Sequence, residues 1–378
     1  MRITLVEPRA PGLHVFSRVR LPRLGLPLMA TILRDRGHDV RVVVESINAV
    51  PLDFLADADL VGISTTTSTA PRAYALADLL RQSCKGLPIV MGGPHASFCL
   101  DEALEHADYC VVGEAEESFP MLVDRIANKQ WAVGVPGVAF REGSSIYVGP
   151  KARPVRLDSL PFPDLSLIVG HERMNMAPLE TSRGCPHSCT FCSVIQMFGR
   201  EYRLRDVVSV ADHVARLPFS HVFFYDDNFT ALPGRTRSLM EELIKRDNRT
   251  CWSAQVRADA VLDPELLRLM YKAGCRVLHI GFESVNDATL EEFQKRLSVK
   301  ETVEAIHMIH DHGIRIHGMF VIGSDNDDAD TPRRTVDFAL RHGIDTIQLM
   351  MLTPLPGTSL FSSMKEQHRL IVSEWQYY

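Results

Sequence analysis

Short β-branched runs alternate with amphipathic helical stretches along most of this 378-residue chain, and that alternation leaves few folds open. A strand–helix–strand repeat implies parallel pairing, because a parallel neighbour is reached only through a crossover long enough to hold a helix. In residues 1–130 strands are expected at 2–6, 39–44, 60–64, 88–92 and 109–112, with helices near 26–36, 71–82 and 116–127. That pattern describes an N-terminal α/β domain of the doubly wound, Rossmann-like kind. Residues 131–175 change character, with Pro136, Pro150, Pro154, Pro161 and Pro163 around two short hairpin-like runs, and read as a linker or small β-excursion. Over 176–378 the alternation resumes. Strands are expected at 178–181, 222–225, 250–255, 277–282, 314–321 and 346–352, with helices at 209–217, 235–246, 264–273, 300–312 and 331–342. Six such units make a partial (β/α)6 TIM-like barrel, two short of the closed form.

Composition narrows the class of protein. Apolar residues at 46% and charged residues at 23% are ordinary globular usage, which argues against disorder and fibrous folds. A net charge of −6 gives no general attraction to nucleic acid. There is no apolar run long enough for a transmembrane segment, and the N-terminus turns polar at Glu7, so a soluble, cytoplasmic protein is expected.

In a doubly wound sheet, ligands bind outside the carboxyl ends of the strands. In the first domain those turns carry Ser64, Thr65, Thr66 and Thr67, then Gly92, Gly93 and Pro94, then Gly113 and Glu114. No G-x-G-x-x-G follows the first strand, so they are not a dinucleotide fingerprint and do not by themselves name a ligand. Arg18, Arg20 and Arg23, in the loop after the first strand, suit an anionic group or plain solvation.

Three of the eight cysteines fall within eight residues, in Cys185-Pro186-His187-Ser188-Cys189-Thr190-Phe191-Cys192, on the loop after the barrel's first strand. Cys84, Cys99, Cys110, Cys251 and Cys275 are scattered in apolar contexts and are expected to be buried rather than paired. Three thiolates at C-x3-C-x2-C spacing can hold three irons of a 4Fe-4S cluster on one loop and leave the fourth iron open. A structural zinc on Cys185, His187, Cys189 and Cys192 is the competing reading. It would require a tight fold around His187.

Through Cys185, Cys189 and Cys192, with the aromatic Phe191 before the last cysteine, the chain resembles the radical S-adenosylmethionine (SAM) superfamily. With the doubly wound domain in front, it looks like the cobalamin-binding class of that superfamily, the class B methyltransferase-like enzymes. The resemblance implies that the open iron chelates SAM, and that one electron cleaves the sulfonium to methionine and a 5′-deoxyadenosyl radical. It implies Asp227 or Asn228 as acceptors of the methionine ammonium, where the family often has Gly-Gly-Glu. It further implies contacts to SAM from Phe191, Gln255, Arg257, Glu283, Ser284 and His317, all expected at strand carboxyl ends. For the first domain it implies cobalamin on the turns named above. No histidine is expected on cobalt, since D-x-H-x-x-G is absent, although histidines such as His14, His38 and His95 occur there.

The activity implied is methylation of an unactivated carbon of a small-molecule, lipid or natural-product substrate. One SAM supplies the methyl group carried as methylcobalamin, and a second supplies the radical. An electron donor such as flavodoxin or ferredoxin would be a partner. A cobalamin-dependent radical enzyme that forms a ring or oxidises shares every motif. A non-catalytic corrinoid or redox sensor would have no need of the SAM positions.

Overall fold

The computed structural model describes residues 1–10, 21–49, 52–372 and 374–378. They divide into two compact units. One comprises Met1–Met174 with Leu355–Gly357 and Ser362–Tyr378, and the other Asn175–Pro354 with Thr358–Phe361.

The first unit is built on a seven-stranded sheet: β1 (Arg2–Glu7), β2 (Asp39–Val44), β3 (Leu60–Ser64), β4 (Ile89–Gly92), β5 (Tyr109–Val111), β6 (Val138–Glu142) and β7 (Ser145–Val148), in the order β2-β1-β3-β4-β5-β6-β7. The first five strands are parallel. Helices cover both faces, which is why β1 is a continuous buried run rather than an alternating one. The helices are α1 (Gly25–Asp35), α2 (Leu52–Ala56), α3 (Ala70–Ser83), α4 (Pro94–Phe98), α5 (Leu100–His106) and α6 (Ser118–Ala127). α1 buries Leu26, Leu28, Met29 and Leu33. The order 2-1-3-4-5 reverses direction between β1 and β3, and the crevice at such a switch point is where this architecture takes its ligand.

The hairpin of β6 and β7 pairs antiparallel with β5, Tyr109 opposite Phe140 and Cys110 opposite Ala139. The stretch that reads in sequence as a linker therefore includes an extension of this sheet. It covers the edge that β5 would otherwise leave unpaired.

The second unit holds six parallel strands in the order β15-β14-β13-β12-β11-β8: β8 (Ala177–Leu179), β11 (His221–Phe224), β12 (Cys251–Val256), β13 (Cys275–Glu283), β14 (Arg315–Ile322) and β15 (Thr346–Met351). A two-residue antiparallel pair, β9 (Ser182–Arg183) with β10 (Arg203–Leu204), stands beside them. The crossover helices are α8 (Val207–Arg216), α9 (Pro233–Lys245), α10 (Pro264–Lys272), α12 (Val299–Asp311) and α13 (Thr331–Arg341), with short α7 (Val194–Phe198) and α11 (Asp287–Glu292) between them. One side of the sheet is apolar and closed: Val222, Phe224, Trp252, Ala254, Leu278, Ile280, Ile316 and Phe320 are all essentially inaccessible.

Candidate active site

The cysteine loop is a long excursion tied at its base. β9 enters it and β10 leaves it, with Arg183 opposite Arg203 and Ser182 opposite Leu204. Asp226, at the end of β11, fastens that base from the neighbouring strand. Its buried carboxylate accepts from the Thr181 backbone N–H at 2.6 Å, from the Thr181 hydroxyl at 2.6 Å and from the Ser182 hydroxyl at 2.6 Å. Arg235 donates to the Thr181 hydroxyl at 2.8 Å and completes the anchor. Gly184 opens the loop at φ +91°, and a Cβ there would stand 2.5 Å from the Glu201 carbonyl oxygen, so only glycine fits.

All three loop cysteines are half-buried and unbridged. Burial pushes the Cys192 thiol up to about 12 and raises Cys185, so the loop keeps these thiols protonated until a metal displaces the protons. Among the described residues the three sulfurs do not form a trio gathered within 4.8 Å, as ligands of a single ion would be. Phe191 stacks edge-on against Phe293 with ring centroids 5.1 Å apart, and the Thr190 N–H reaches the Phe293 carbonyl at 3.4 Å. Phe191 thus packs the loop against the end of α11.

Asp227 accepts from the backbone N–H of Gly184 at 3.2 Å, directly beside Cys185. Burial, with the negative charges of Glu180 and Asp226, pushes its carboxyl up to about 7, an environment that favours arrival of a cation. Asn228 is 2% exposed, and neither atom of its side-chain amide has a hydrogen-bond partner among the described residues. An orphaned buried amide beside a carboxylate in want of a cation fits the amino-acid end of SAM, which offers an ammonium and a carboxylate. Arg257 is buried and reaches this region, since its charge acts on both Cys185 and His187. It is also committed to Asp259 at 2.9 Å and to the Lys295 carbonyl at 2.6 Å.

Two expected contacts are otherwise engaged. Glu283 is locked in a buried ion pair with Lys295 at 2.6 Å, lying over Gly281, where a Cβ would meet the carboxylate at 2.4 Å. Ser284 is buried and accepts from the Asn286 N–H at 3.1 Å, closing the turn into α11.

His317 needs correcting: it does not lie at the carboxyl end of its strand. It is the third residue of β14, five positions before Ile322, held there by the parallel pairing of β14 with β13. In register it stands opposite His279 of β13, which stands opposite Gln255 of β12.

That register defines a second feature. On the side of the sheet away from the buried apolar residues, His221 bonds the Ser253 hydroxyl at 2.9 Å, and the His279 and His317 rings lie 4.8 Å apart. His317 reaches Thr346 at 2.8 Å and Gln348 at 3.4 Å. A closed eight-stranded barrel fills this side with Val, Ile and Leu, whereas six strands here leave it polar. Burial, then the neighbouring His317 and His221, lower His279 to about 4, so it works as a neutral imidazole. His221, Ser253, His279, Asp226 and Lys295 escaped the sequence reading. Only the period-2 alternation in 251–255 and 277–281 could have signalled part of this row.

In the first unit, the expected turn residues meet along one edge. Thr65 donates from both its N–H and its hydroxyl to the Gly92 carbonyl, at 2.8 and 3.0 Å, and its hydroxyl accepts from the Ala96 N–H at 3.1 Å. Gly93, at φ +93°, lies so close to Thr65 that a Cβ would stand 2.5 Å from its carbonyl oxygen. Thr66 caps the 3-10 turn Thr67–Thr69. Ser97 links the Gly93 carbonyl to the Gly113 N–H, at 2.9 Å each. Ser64, Gly92, Gly93, Pro94, Gly113 and Glu114 remain half-exposed, a polar ledge on a rigid frame.

At the switch point itself, Arg23 is held by the buried Glu7 through its backbone N–H at 3.0 Å, and donates to the Ser64 carbonyl at 3.4 Å. Its Nη1 is buried with no partner among the described residues. A ligand carrying amide carbonyls and a phosphate, as cobalamin does, would satisfy it. Arg18, Arg20 and His14 lie outside the described residues. His38 sits at the amino end of β2 beside the N-terminus, and His95 is buried behind the ledge, its Nδ1 3.2 Å from the Thr67 hydroxyl.

Comparison with known proteins identifies the two domains. Residues 179–339 match the Radical SAM superfamily model and residues 17–123 match the B12 binding domain model, over two thirds of the chain between them. The chain is 29% identical to a bacteriochlorophyllide d C-12(1)-methyltransferase of Chlorobaculum tepidum, over 97% of this chain and 78% of that protein. It is 31% identical to an anaerobic magnesium-protoporphyrin IX monomethyl ester cyclase of Cereibacter sphaeroides, over 81% of this chain and 53% of that protein. Among solved structures it superposes on the radical SAM methyltransferase TsrM of Kitasatospora setae, solved with cobalamin and a 4Fe-4S cluster. The TM-score is 0.79 at 19% identity, covering 97% of this chain and 75% of that one, a likeness of fold. The cofactors that follow are a 4Fe-4S cluster, SAM and cobalamin. The chain belongs to the radical SAM superfamily, to the class whose radical SAM domain follows a B12-binding domain.

Proposed function

We propose that this enzyme methylates an unactivated carbon of a small-molecule or lipid substrate. The observation that carries the reading is the polar inner row of His221, Ser253, Gln255, His279, His317 and Gln348 on a six-stranded sheet whose first loop holds the cysteine triad. When bound, the cluster with SAM supplies a hydrogen-abstracting radical, and cobalamin supplies a methyl group. Cys185, Cys189 and Cys192 hold the cluster. Asp227 and Asn228 bind and orient the SAM ammonium and carboxylate, while Arg257, neutralised by Asp259, tunes the charge beside Cys185. Lys295 and Glu283 brace the β13 end of the site. Ser64 to Thr67, Gly92 to Pro94, Gly113 and Glu114 form the ledge for cobalamin, with no histidine on cobalt. The inner row hydrogen-bonds the substrate and keeps one carbon oriented, the kind of positioning that contributes roughly 7–11 kcal/mol to a barrier. A reduced cluster calls for a small electron-donor protein and a reducing compartment, so a flavodoxin or ferredoxin partner and a cytoplasmic location belong to this reading.

The deciding assay supplies SAM with a deuterated methyl group to the reconstituted enzyme together with candidate substrates. Methylation requires labelled product with S-adenosylhomocysteine and 5′-deoxyadenosine formed together. Product with deoxyadenosine alone rejects methyl transfer in favour of ring formation or oxidation, the reading that the cyclase relative supports.

A further inference from the structure

The first unit holds an assembled set of ligand-type side chains that neither the cluster nor the cobalamin ledge uses. His95 lies in α4, Cys99 at the non-helical junction between α4 and α5, and Glu102 in the first turn of α5, and the bend at Cys99 leaves the three side chains together. Among the described residues they are the one trio of such side chains whose ligand atoms all lie within 4.8 Å of one another.

The histidine is prepared as a ligand. It is 1% exposed, and its Nε2 is buried without a hydrogen-bond partner. The Glu102 carboxylate approaches Nε2 only to 3.9 Å, too far for a hydrogen bond. Its other nitrogen, Nδ1, lies 3.2 Å from the Thr67 hydroxyl. With Nδ1–H donated to Thr67, Nε2 keeps a lone pair aimed at Cys99 and Glu102, the outer-partner arrangement that fixes metal-binding histidines. The carboxylate is held as well: the Trp375 indole N–H donates to its two oxygens at 2.7 and 2.8 Å, and the same ring sits edge-on to His95 at 5.0 Å. Tyr74 brings a buried hydroxyl to this cluster, beside the Glu102 carboxylate.

We propose that His95 Nε2, Cys99 Sγ and a Glu102 oxygen bind one divalent ion of borderline softness, zinc above all, with the Tyr74 hydroxyl or a water as fourth ligand. Mixed N, S and O donors are those zinc takes, here a buried imidazole with a half-buried thiol and carboxylate. Tetrahedral bonds of about 2.0–2.3 Å place ligand atoms roughly 3.5 Å apart, so the trio closes by little more than about 1 Å. As the sulfur–metal bond forms, the Cys99 thiol releases its proton to solvent. The ion would pin the start of α4, which follows Gly93, to Glu102, and through Trp375 to the C-terminal segment of the same unit.

The test uses the full chain with its cluster reconstituted, so that iron occupies Cys185, Cys189 and Cys192. After loading with zinc chloride and desalting, metal per chain is measured by mass spectrometry. The expected result is about one zinc per chain, reduced at least tenfold in His95→Ala and Cys99→Ala and unchanged in Cys251→Ala. Cobalamin-free protein loaded with cobalt(II) should show a thiolate-to-cobalt charge-transfer band, lost in the conservative Cys99→Ser. Circular dichroism checks the fold of each variant, and Glu102→Gln provides a second reading if either alanine variant unfolds. A zinc-free wild type, or zinc retained in the folded variants, overturns the site.

Discussion

Asn228 carries an energetic tension that its neighbours do not relieve. Two buried polar atoms without partners cost on the order of 1–3 kcal/mol, which a fold without a ligand would remove by choosing leucine. We therefore expect Asn228→Leu to leave the stability of the SAM-free protein unchanged or raised by about 1 kcal/mol, while SAM affinity falls at least tenfold. Thermal melts and calorimetric titration check the two halves, and undiminished SAM binding would remove Asn228 from the site. The buried Glu283–Lys295 pair behaves in the opposite way. Removing one partner strands the other charge, so Lys295→Met should cost about 3–5 kcal/mol in chemical denaturation. The double variant Glu283→Leu/Lys295→Met should recover most of that loss. If the single and double variants are equally unstable, the pair is not what holds this end of β13.

At the scale of elements, the β9–β10 clasp and the glycine that follows it decide whether the cysteine loop can form. Gly184→Ala combines an unfavourable φ with a 2.5 Å contact to the Glu201 carbonyl, and that contact is backbone, which cannot swing away. Iron per chain after reconstitution should fall severalfold in this variant, while far-UV circular dichroism, which reports the sheets and helices, stays as in wild type. Replacing Cys185, Cys189 and Cys192 together with alanine should abolish the cluster absorbance with the same spectrum retained. Equal dependence on Cys251 or Cys275 would show that the loop is not the cluster site. Cys275 is fully buried in β13, and burial pushes its thiol far above the usual range, which is the chemistry of an inert core residue.

For the molecule as a whole, neutral histidines set the acid limit. His213 and His279 are lowered to about 4 chiefly by burial, and His221 is lowered for the same reason. Below the unfolded value of 6.5 the unfolded chain takes up protons that the folded chain refuses, so stability is present above that pH and is lost as pH falls towards 4. At pH 5 each strongly lowered group costs up to about 2 kcal/mol relative to pH 7.5. Asp227, raised to about 7, works in the opposite sense over the same range, so the check is a difference: between pH 7.5 and 5 the thermal midpoint of His279→Gln should fall less, or rise more, than that of wild type. An unaltered profile in that variant would mean that His279 is not held neutral by its surroundings.

The sequence by itself determined the order of the elements, the parallel pairing of the first five strands of one sheet and the six of the other, and the place of the cysteine loop after the first strand of the second unit. These are local properties: a β-branched run, an amphipathic period and three cysteines within eight residues each declare themselves over a few positions. Only the tertiary structure decided which polar residues share a place, because that depends on register between strands and on contacts far apart in the chain. Asp226 reaches back to Thr181, Lys295 reaches back to Glu283, and Trp375 reaches back to Glu102. His317 shows the limit most plainly. It was expected among the residues at strand carboxyl ends, but the pairing of β14 with β13 puts its ring beside His279 within the sheet. The hairpin at 138–148 was legible as two strands but not as part of the first sheet, since what a hairpin covers is fixed by the edge available to it.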